Sequence, residues 1–173
     1  INLIQIINMK ENRGHARCNA HGLRYLSNNE KFDHLIIMDG DGEDRPEEIK
    51  LLVNKALLNE KISIVANRIK RSEGFFFKFC YLMHKYLTFI FTGHLIKFGN
   101  YTCLPLSIVK KMVKEAATWS SFSGSLSKLS NKRISISSIR GPRYFGPSKM
   151  SFVNLIKHSI SIIAVFKNVV FIR

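Results

Sequence analysis

The chain has 173 residues, of which 46% are hydrophobic and 23% are charged. This length allows a buried core, and this composition argues against a disordered or collagen-like protein. Three cysteines lie far apart without a C-x-x-C pair, which argues against a zinc knuckle or a disulfide framework. The net charge is +15, and residues 67–173 carry 18 basic against 2 acidic side chains. That half of the chain should attract polyanions such as a nucleotide, a nucleic acid or an anionic membrane face.

The first part of the chain alternates predicted strands and helices. Residues 1–8 and 63–66 are short β-branched runs, and residues 33–39 are an apolar run that ends in acid, so all three are predicted strands. Residues 14–26 carry apolar residues at helical spacing, and a second helix is predicted to start at Pro46, with two glutamates in its first turn. The order β-α-β-α-β predicts an α/β fold with a doubly wound, mostly parallel sheet and helices on both faces.

The second part of the chain is richer in aromatic residues. Residues 75–98 combine a wide apolar face with a narrow polar stripe, which predicts a helix that lies on a membrane or packs against a partner. Residues 133–139 alternate like a strand. Residues 152–172 are also apolar, but only nine residues between Lys157 and Lys167 lack formal charge, too few to span a bilayer. We expect residues 151–173 to form an apolar, membrane-proximal segment with amphipathic helices.

The most informative segment is the run of acids that follows predicted strand 33–39, namely Asp39, Asp41, Glu43 and Asp44. Acids this close repel one another unless a cation or ligand offsets their charge, and ligands of α/β sheets bind at this edge. Hard oxygen ligands suit Mg²⁺ or Mn²⁺. The alternative to a metal or ligand site is a purely structural one, in which these acids form a turn and cap the following helix.

Three other sites that use clustered acids or glycines do not match. An EF-hand starting at Asp39 would need glycine and glutamate where Asp44 and Lys50 stand. No P-loop or G-x-G-x-x-G turn is present. A phosphatase of the haloacid dehalogenase type normally has threonine or valine at the place of Glu43. A D-x-D of the nucleotide-sugar type remains.

Five motifs occur in order along the chain. They are Asn12-Arg13-Gly14-His15, the D-x-D segment LIIMDGDGEDRPEEI, Ala66-Asn67-Arg68, Gly99-Asn100-Tyr101 and the R-x-x-G-x-S-K sequence at 143–149. This set covers most of residues 5–166 and resembles the family 2 glycosyltransferases, inverting enzymes of the GT-A fold. It is most similar to the dolichol-phosphate mannosyltransferase-like branch, which transfers sugars to polyprenyl phosphates. The resemblance implies that the family's first strand and C-terminal membrane helices are lacking here.

The resemblance implies a role for each matching residue. The metal ligands would be Asp39, Asp41 and Glu43; the donor would be bound by Asp39, Asp41, Arg68 and Arg71; and the acceptor phosphate would be bound by Arg143, Ser148 and Lys149. Asp39, Asp41 and Asn100 are the predicted catalytic residues, and many relatives have an aspartate at the place of Asn100. A polyprenyl phosphate is already an anion, so Asn100 favours an acceptor that needs positioning and not deprotonation.

We therefore expect residues 1–150 to form a partial GT-A domain, with residues 1–72 for the nucleotide sugar and residues 73–150 for the acceptor. The expected activity is inverting transfer of a sugar from a nucleoside diphosphate sugar to a polyprenyl phosphate, with Mg²⁺ or Mn²⁺, at the cytoplasmic face of the membrane. This would serve cell-envelope glycan or glycolipid synthesis. A homo-oligomer is a further expected assembly.

Two alternatives to this activity remain. One is a glycosyltransferase that extends a polysaccharide. The other is a non-catalytic basic protein that binds nucleic acid or an anionic membrane. The second alternative explains the basic half of the chain but leaves the acidic cluster unexplained, so nucleic acid is the less favoured partner.

Overall fold

The structure, a computed structural model, describes residues 4–70, 75–93, 96–146 and 152–167. Its helices are α1 (His15–Asn29), α2 (Ile49–Leu57), α3 (Phe75–Thr92), α4 (Leu106–Lys114), α5 (Phe122–Leu129) and α6 (Phe152–Val165), with short 3-10 helices at Pro46–Glu48 and Ala116–Trp119. Its strands are β1 (His34–Ile37), β2 (Ser63–Lys70), β3 (Phe98–Pro105) and β4 (Arg133–Ile139). The predicted helices at 14–26 and after Pro46 and the predicted strands at 33–39, 63–66 and 133–139 are all found, with shifted ends.

The four strands form one mixed sheet in the order β1-β3-β2-β4. β3 pairs antiparallel with both β1 and β2, whereas β2 and β4 pair in parallel. An α/β fold was expected and fits, but the mostly parallel pairing was wrong, because one of the three strand pairs described is parallel. β1, β2 and β4 nevertheless run in one direction, and β3 runs against them.

The antiparallel strand β3 was missed because residues 99–105 were assigned no secondary structure, and Phe98 was placed at the end of a helix over residues 75–98. That helix ends at Thr92, where Gly93 has a φ of 72° and donates its amide N–H to the carbonyl oxygen of Phe89 at 2.8 Å. A glycine in this left-handed conformation is a common helix stop. The chain is then free to turn back, so that Phe98 begins a strand.

The predicted strand at residues 1–8 is absent from the part that the structure describes, residues 4–8. Ile4 and Ile6 are each 82% exposed, so their side chains pack against no sheet. β-branched residues favour strands mainly through packing against neighbouring strands. Without that packing, the propensity of the run does not decide its conformation.

The core consists of two clusters of buried side chains on opposite faces of the sheet. One joins β2 and β3 to α1, α4 and α5 through Leu23, Val65, Leu104, Val109, Met112, Phe122 and Leu126. The other joins the same strands to α2 through Leu52, Ala56, Ile64, Ala66, Tyr101 and Cys103. Successive side chains of a strand point to opposite faces, which places Val65 in one cluster and Ile64 and Ala66 in the other. Helices therefore cover both faces, as expected.

Helices α3 and α6 pack against each other and leave large apolar side chains exposed. On α3 these are Leu82, Met83, Tyr86, Phe89, Ile90 and Phe91, and on α6 they are Val153, Ile156 and Ile160. None of the helices within the described ranges combines the length and hydrophobicity that a bilayer-spanning segment needs. We call this exposed set the α3–α6 surface.

Candidate functional site

The direction of the strands brings four parts of the chain to one edge of the sheet. β1, β2 and β4 end at this edge, and β3 begins there, because it runs in the opposite direction. Asp39 follows β1, Arg68 lies near the end of β2, Asn100 near the start of β3, and Arg140 directly after β4. Side chains that are up to about 100 positions apart in the sequence therefore meet in one site.

The inner part of the site is organised by one buried carboxylate. Asp44 is 2% exposed, and its two oxygens accept hydrogen bonds from the Asp39 amide N–H at 2.9 Å and from Arg68 Nη2 at 3.1 Å. Asn100 donates from Nδ2 to Asp39 Oδ1 at 3.0 Å, and Arg68 Nη2 lies 3.7 Å from Asp39 Oδ2. These contacts fix the first acid of the D-x-D against two strands of the sheet.

The outer part of the site joins two segments that we call the acidic turn (residues 39–44) and the basic strap (residues 140–144). Arg143 Nη2 lies 2.9 Å from Asp41 Oδ2, and its Nε lies 3.5 Å from Glu43 Oε1. Arg140 forms a further ion pair with Glu43. Each of the two outer acids thus has a guanidinium partner from the basic strap.

The backbones of the two segments are joined as well. The amide N–H of Gly141 donates to the Glu43 carbonyl oxygen, and that of Tyr144 donates to the Asp41 carbonyl oxygen, each at 2.9 Å. A Cβ on Gly141 would lie 2.6 Å from the Gly42 carbonyl oxygen, closer than real Cβ contacts allow. Gly42 itself has a φ of 88°, and a Cβ there would meet the Tyr144 ring at 2.7 Å. Two glycines therefore permit this close approach.

The charges of the site nearly cancel within the chain. Four carboxylates (Asp39, Asp41, Glu43 and Asp44) face three guanidinium groups (Arg68, Arg140 and Arg143), which leaves one formal negative charge. Burial raises the pKa of Asp44, and the hydrogen bonds from the Asp39 amide and Arg68 only partly offset this rise. Burial likewise lowers the pKa of Arg140, against the opposing effect of Asp41. Desolvation therefore opposes the ionised form of both groups, and the hydrogen bonds and opposite charges of their partners favour it.

Tyr101 is a buried residue of β3 that contacts the chain just after the acidic turn. Its hydroxyl donates to the Arg45 carbonyl oxygen at 2.7 Å and so ties β3 to the end of the acidic turn. Burial, together with the nearby charges of Glu48 and Asp44, raises the pKa of Tyr101 to about 12. The phenol is therefore a hydrogen-bond donor near neutral pH and not a proton acceptor.

The carboxylates of the site, as they are arranged, do not form a binding site for a divalent cation. Among the residues described, no three His, Cys, Asp or Glu side chains form a group that could hold a metal ion. Asp39 is engaged by Asn100, and Asp41 and Glu43 are engaged by the two arginines of the basic strap. The prediction that Asp39, Asp41 and Glu43 are metal ligands stays a prediction, and a cation would have to compete with these arginines.

All six predicted site residues that fall in the described ranges come together. Asp39, Asp41, Glu43, Arg68, Asn100 and Arg143 all lie at this edge. Arg71, Ser148 and Lys149 lie outside the described residues. The catalytic, donor and acceptor roles of all these residues stay predictions.

Sequence analysis missed Arg140, and it gave Asp44, a member of the acidic run, no role beyond that of a helix cap. The signal for Arg140 was its place directly after a predicted strand, since residues at the carboxyl ends of parallel strands line ligand sites. No local signal distinguished Asp44 from a helix cap, because its burial depends on β2 and β3. The cap role is excluded, since no side chain caps the 3-10 helix that starts at Pro46.

A separate cavity of about 710 Å³ lies at the start of α1 and includes Trp119 and several basic residues. It is lined by Asn8, Met9, Lys10, Glu11, Arg13, Arg17, His21 and Trp119. No residue of the acidic turn or the basic strap lines it. Cavity size therefore does not identify the site, whereas the convergence of charged groups at the sheet edge does.

Comparison with known proteins assigns the chain to a family. A family model described as "Glycosyl transferase family 2" matches residues 2–113, well over half of the chain. The matched range includes the acidic turn, Arg68 and Asn100, and it ends before the basic strap. A search of curated proteins found no match. The mixed sheet with helices on both faces is compatible with an α/β GT-A fold, and the chain belongs to glycosyl transferase family 2.

Proposed function

We propose that the chain transfers a sugar from a nucleoside diphosphate sugar to a polyprenyl phosphate, with inversion at the anomeric carbon, as in the dolichol-phosphate mannosyltransferase-like branch. The observation that carries this proposal is the meeting of Asp39, Arg68, Asn100 and Arg143 at one sheet edge. The mixed sheet is compatible with the expected GT-A fold. Residues 1–72 would serve the donor, and residues 73–150 the acceptor.

The residues of the site suit a reaction between two phosphate-bearing substrates. An oxygen of the acceptor phosphate would form the new bond to the anomeric carbon, while the bond from that carbon to the diphosphate breaks. The leaving nucleoside diphosphate gains negative charge, which guanidinium groups such as Arg68 and Arg143 can neutralise through paired hydrogen bonds. An acceptor that is already ionised needs no general base. This agrees with an amide, Asn100, beside Asp39.

The α3–α6 surface supports an acceptor that is held in a membrane. It exposes aromatic and aliphatic side chains, and α6 also carries the exposed Lys157. Apolar residues with nearby lysines suit the interface of an anionic bilayer. We propose that this surface rests on the cytoplasmic face of the membrane and brings the lipid phosphate to the site.

The proposal is tested by calorimetric titration of the full chain with UDP- and GDP-sugars, with and without Mn²⁺, because family members commonly use divalent metals. We expect one sugar nucleotide to bind wild type and to lose its binding in Asp41→Ala. Glu47→Gln serves as the matched control, because Glu47 is an exposed acid that pairs with Arg45 beside the site. A folded chain that binds no sugar nucleotide would overturn the donor assignment.

The acceptor is tested separately by assaying transfer with and without a polyprenyl phosphate. Transfer that requires the lipid phosphate would support the proposed acceptor. Transfer to a growing polysaccharide in its absence would favour the alternative transferase. Steep, salt-dependent binding of nucleic acid, with no sugar nucleotide bound, would favour a basic binding protein.

A further inference from the structure

The acidic turn and the basic strap are joined by ion pairs that engage both arginines of the strap. Asp41 accepts from Arg143, and Glu43 faces both Arg143 and Arg140. The Glu43 side chain is only 12% exposed, and the two arginine side chains are each 27% exposed. An incoming anion therefore meets arginines whose charge is already taken by carboxylates of the same chain.

The basic strap is held in place by more than these ion pairs. Two backbone hydrogen bonds, Gly141 to Glu43 and Tyr144 to Asp41, join it to the acidic turn. Gly141 lies against the Gly42 carbonyl oxygen, where only a residue without Cβ fits. Neither contact uses a charged side chain. If the carboxylates lost their charge or turned to another partner, the backbone would still hold both guanidinium groups at the edge.

Two arginines fixed three positions apart are suited to a diphosphate. Each guanidinium can donate two parallel hydrogen bonds to phosphate oxygens. We propose that Arg140 and Arg143 form a diphosphate site that Asp41 and Glu43 mask in the free chain. The phosphates of an incoming ligand would displace these two carboxylates and take over their arginines.

This inference rests on the proposed function in one respect, since the diphosphate it expects is that of the sugar donor. The basic strap would then contact the donor as well as the acceptor phosphate that Arg143 was predicted to bind. The inference adds that the acids of the D-x-D region compete with the ligand's own phosphates. Neutralising these acids should therefore tighten the binding of a diphosphate when no metal is present. A site in which the acids only help to bind the donor gives the opposite sign.

The test is isothermal titration of the full chain with inorganic pyrophosphate in the presence of EDTA. We expect Asp41→Asn combined with Glu43→Gln to tighten binding at least about tenfold, the effect of removing one competing charge-assisted hydrogen bond. The control Glu47→Gln removes one acid from the same region outside the pair, and we expect less than about a twofold change. If pyrophosphate binding tightened by the same factor per acid removed in the double variant and in Glu47→Gln, the proposal would be overturned. The change in net charge alone would then explain the tighter binding.

A third variant tests whether the tighter binding of pyrophosphate depends on the arginines of the basic strap. Adding Arg140→Gln and Arg143→Gln to the neutralised acids should return pyrophosphate binding to the wild-type level or below. A gain that survives the loss of both arginines would overturn the proposal. Pyrophosphate carries no sugar or base, so failure of the sugar-nucleotide titration leaves this result interpretable.

Amide hydrogen exchange checks that the neutralised variant keeps the strap docked. We expect the amides of Gly141 and Tyr144 to remain protected in Asp41→Asn with Glu43→Gln. Free exchange at both amides would overturn the proposal, since the arginines would then not be held in place by the backbone. Circular dichroism and thermal unfolding of each variant show whether the domain itself is folded.

Discussion

Two regions of the molecule differ in whether the chain itself supplies partners for groups that proteins usually bury or pair. They are the acidic turn with its basic strap, which is rich in charge, and the α3–α6 surface, which is rich in apolar side chains. At the sheet edge, four carboxylates and three arginines are brought together from three parts of the chain and paired. On the α3–α6 surface, side chains such as Leu82 and Phe89 remain exposed to solvent. The first region supplies its own partners, and the second does not.

This difference shows which contacts the chain provides and which it leaves to its surroundings. Buried charge without a partner would cost several kcal/mol, so the fold itself must satisfy it. Exposed apolar area costs far less to a folded chain and gains energy when an apolar phase covers it. We therefore expect substitutions at the sheet edge to change stability, and substitutions on the α3–α6 surface to change binding to membranes.

The largest effect is expected from Arg68→Gln. Removing this guanidinium leaves Asp44, 2% exposed, with a buried charge and one hydrogen bond from the Asp39 amide. Loss of one partner from a buried ion pair typically costs about 3–5 kcal/mol of unfolding free energy. Urea unfolding of the variant measures this loss.

The matched control for Arg68→Gln is Arg13→Gln. Arg13 pairs with Glu11, and both side chains are more than half exposed. Exposed pairs contribute about 0–1 kcal/mol. If the two variants lost the same stability, the buried pair would not organise the site as described.

The second-largest effect is expected on the α3–α6 surface and concerns binding to membranes. We expect Leu82→Gln combined with Phe89→Gln to weaken binding to anionic lipid vesicles about a hundredfold, since two large apolar side chains no longer enter the interface. Sedimentation with vesicles measures the binding. Unfolding free energy should change little, because both side chains are exposed in the folded chain.

The control for this pair is Leu51→Gln combined with Leu58→Gln, at the same sequence spacing on and beside α2. Both leucines are also exposed, but they lie outside the α3–α6 surface. Vesicle binding that falls equally in both double variants would show that general hydrophobicity, and not this surface, decides the interaction.

Local sequence patterns were enough to predict most elements that cover or build the sheet. Gly14 has a φ of 88°, donates its N–H to Asn12 Oδ1 and precedes the first residue of α1, close to the predicted start of the helix at residue 14. Pro46 opens a 3-10 turn that leads into α2. Where these helices begin depends on backbone dihedral preferences and short-range hydrogen bonds, which the neighbouring residues in the sequence determine.

The pairing of the strands could not be predicted in the same way. Whether β3 runs parallel or antiparallel depends on where α3 stops and the chain turns, and the aromatic run hid the stop at Gly93. Six predicted site residues lie together at one edge although the pairing of the sheet was mispredicted, and their roles stay predictions. Motifs name residues directly, whereas the burial of Asp44 and the place of Arg140 depend on strands that meet only in the folded chain.

A smaller effect is expected from Gly141→Ala, which tests the close approach of strap and turn. Its Cβ would lie 2.6 Å from the Gly42 carbonyl oxygen, so a backbone segment must shift. We expect a loss of about 1–3 kcal/mol, typical of overpacking, and faster amide exchange at Tyr144. Gly22→Ala, in α1 with nothing within 4 Å of its Cβ, should instead gain about 0.5–1 kcal/mol. Equal stability of both variants would contradict the tight contact.

The smallest effect concerns an ion pair outside both regions and gives a reference for exposed charge. Lys128 Nζ donates to Glu115 Oε2 at 3.0 Å, and this hydrogen bond, more than any other influence, lowers the pKa of Glu115 below its usual 4.5. The folded chain therefore binds this proton less readily than the unfolded chain, so the pair stabilises the fold above pH 4.5 and loses that effect as the pH falls below it. Because Lys128 is 41% exposed, we expect Glu115→Gln to cost less than about 1 kcal/mol at pH 7 and less still at pH 3.5. Unfolding free energies of wild type and variant at both pH values measure this. A difference that grew on acidification would contradict the pairing, and a difference as large as that of Arg68→Gln would remove the distinction between buried and exposed charge on which the comparison depends.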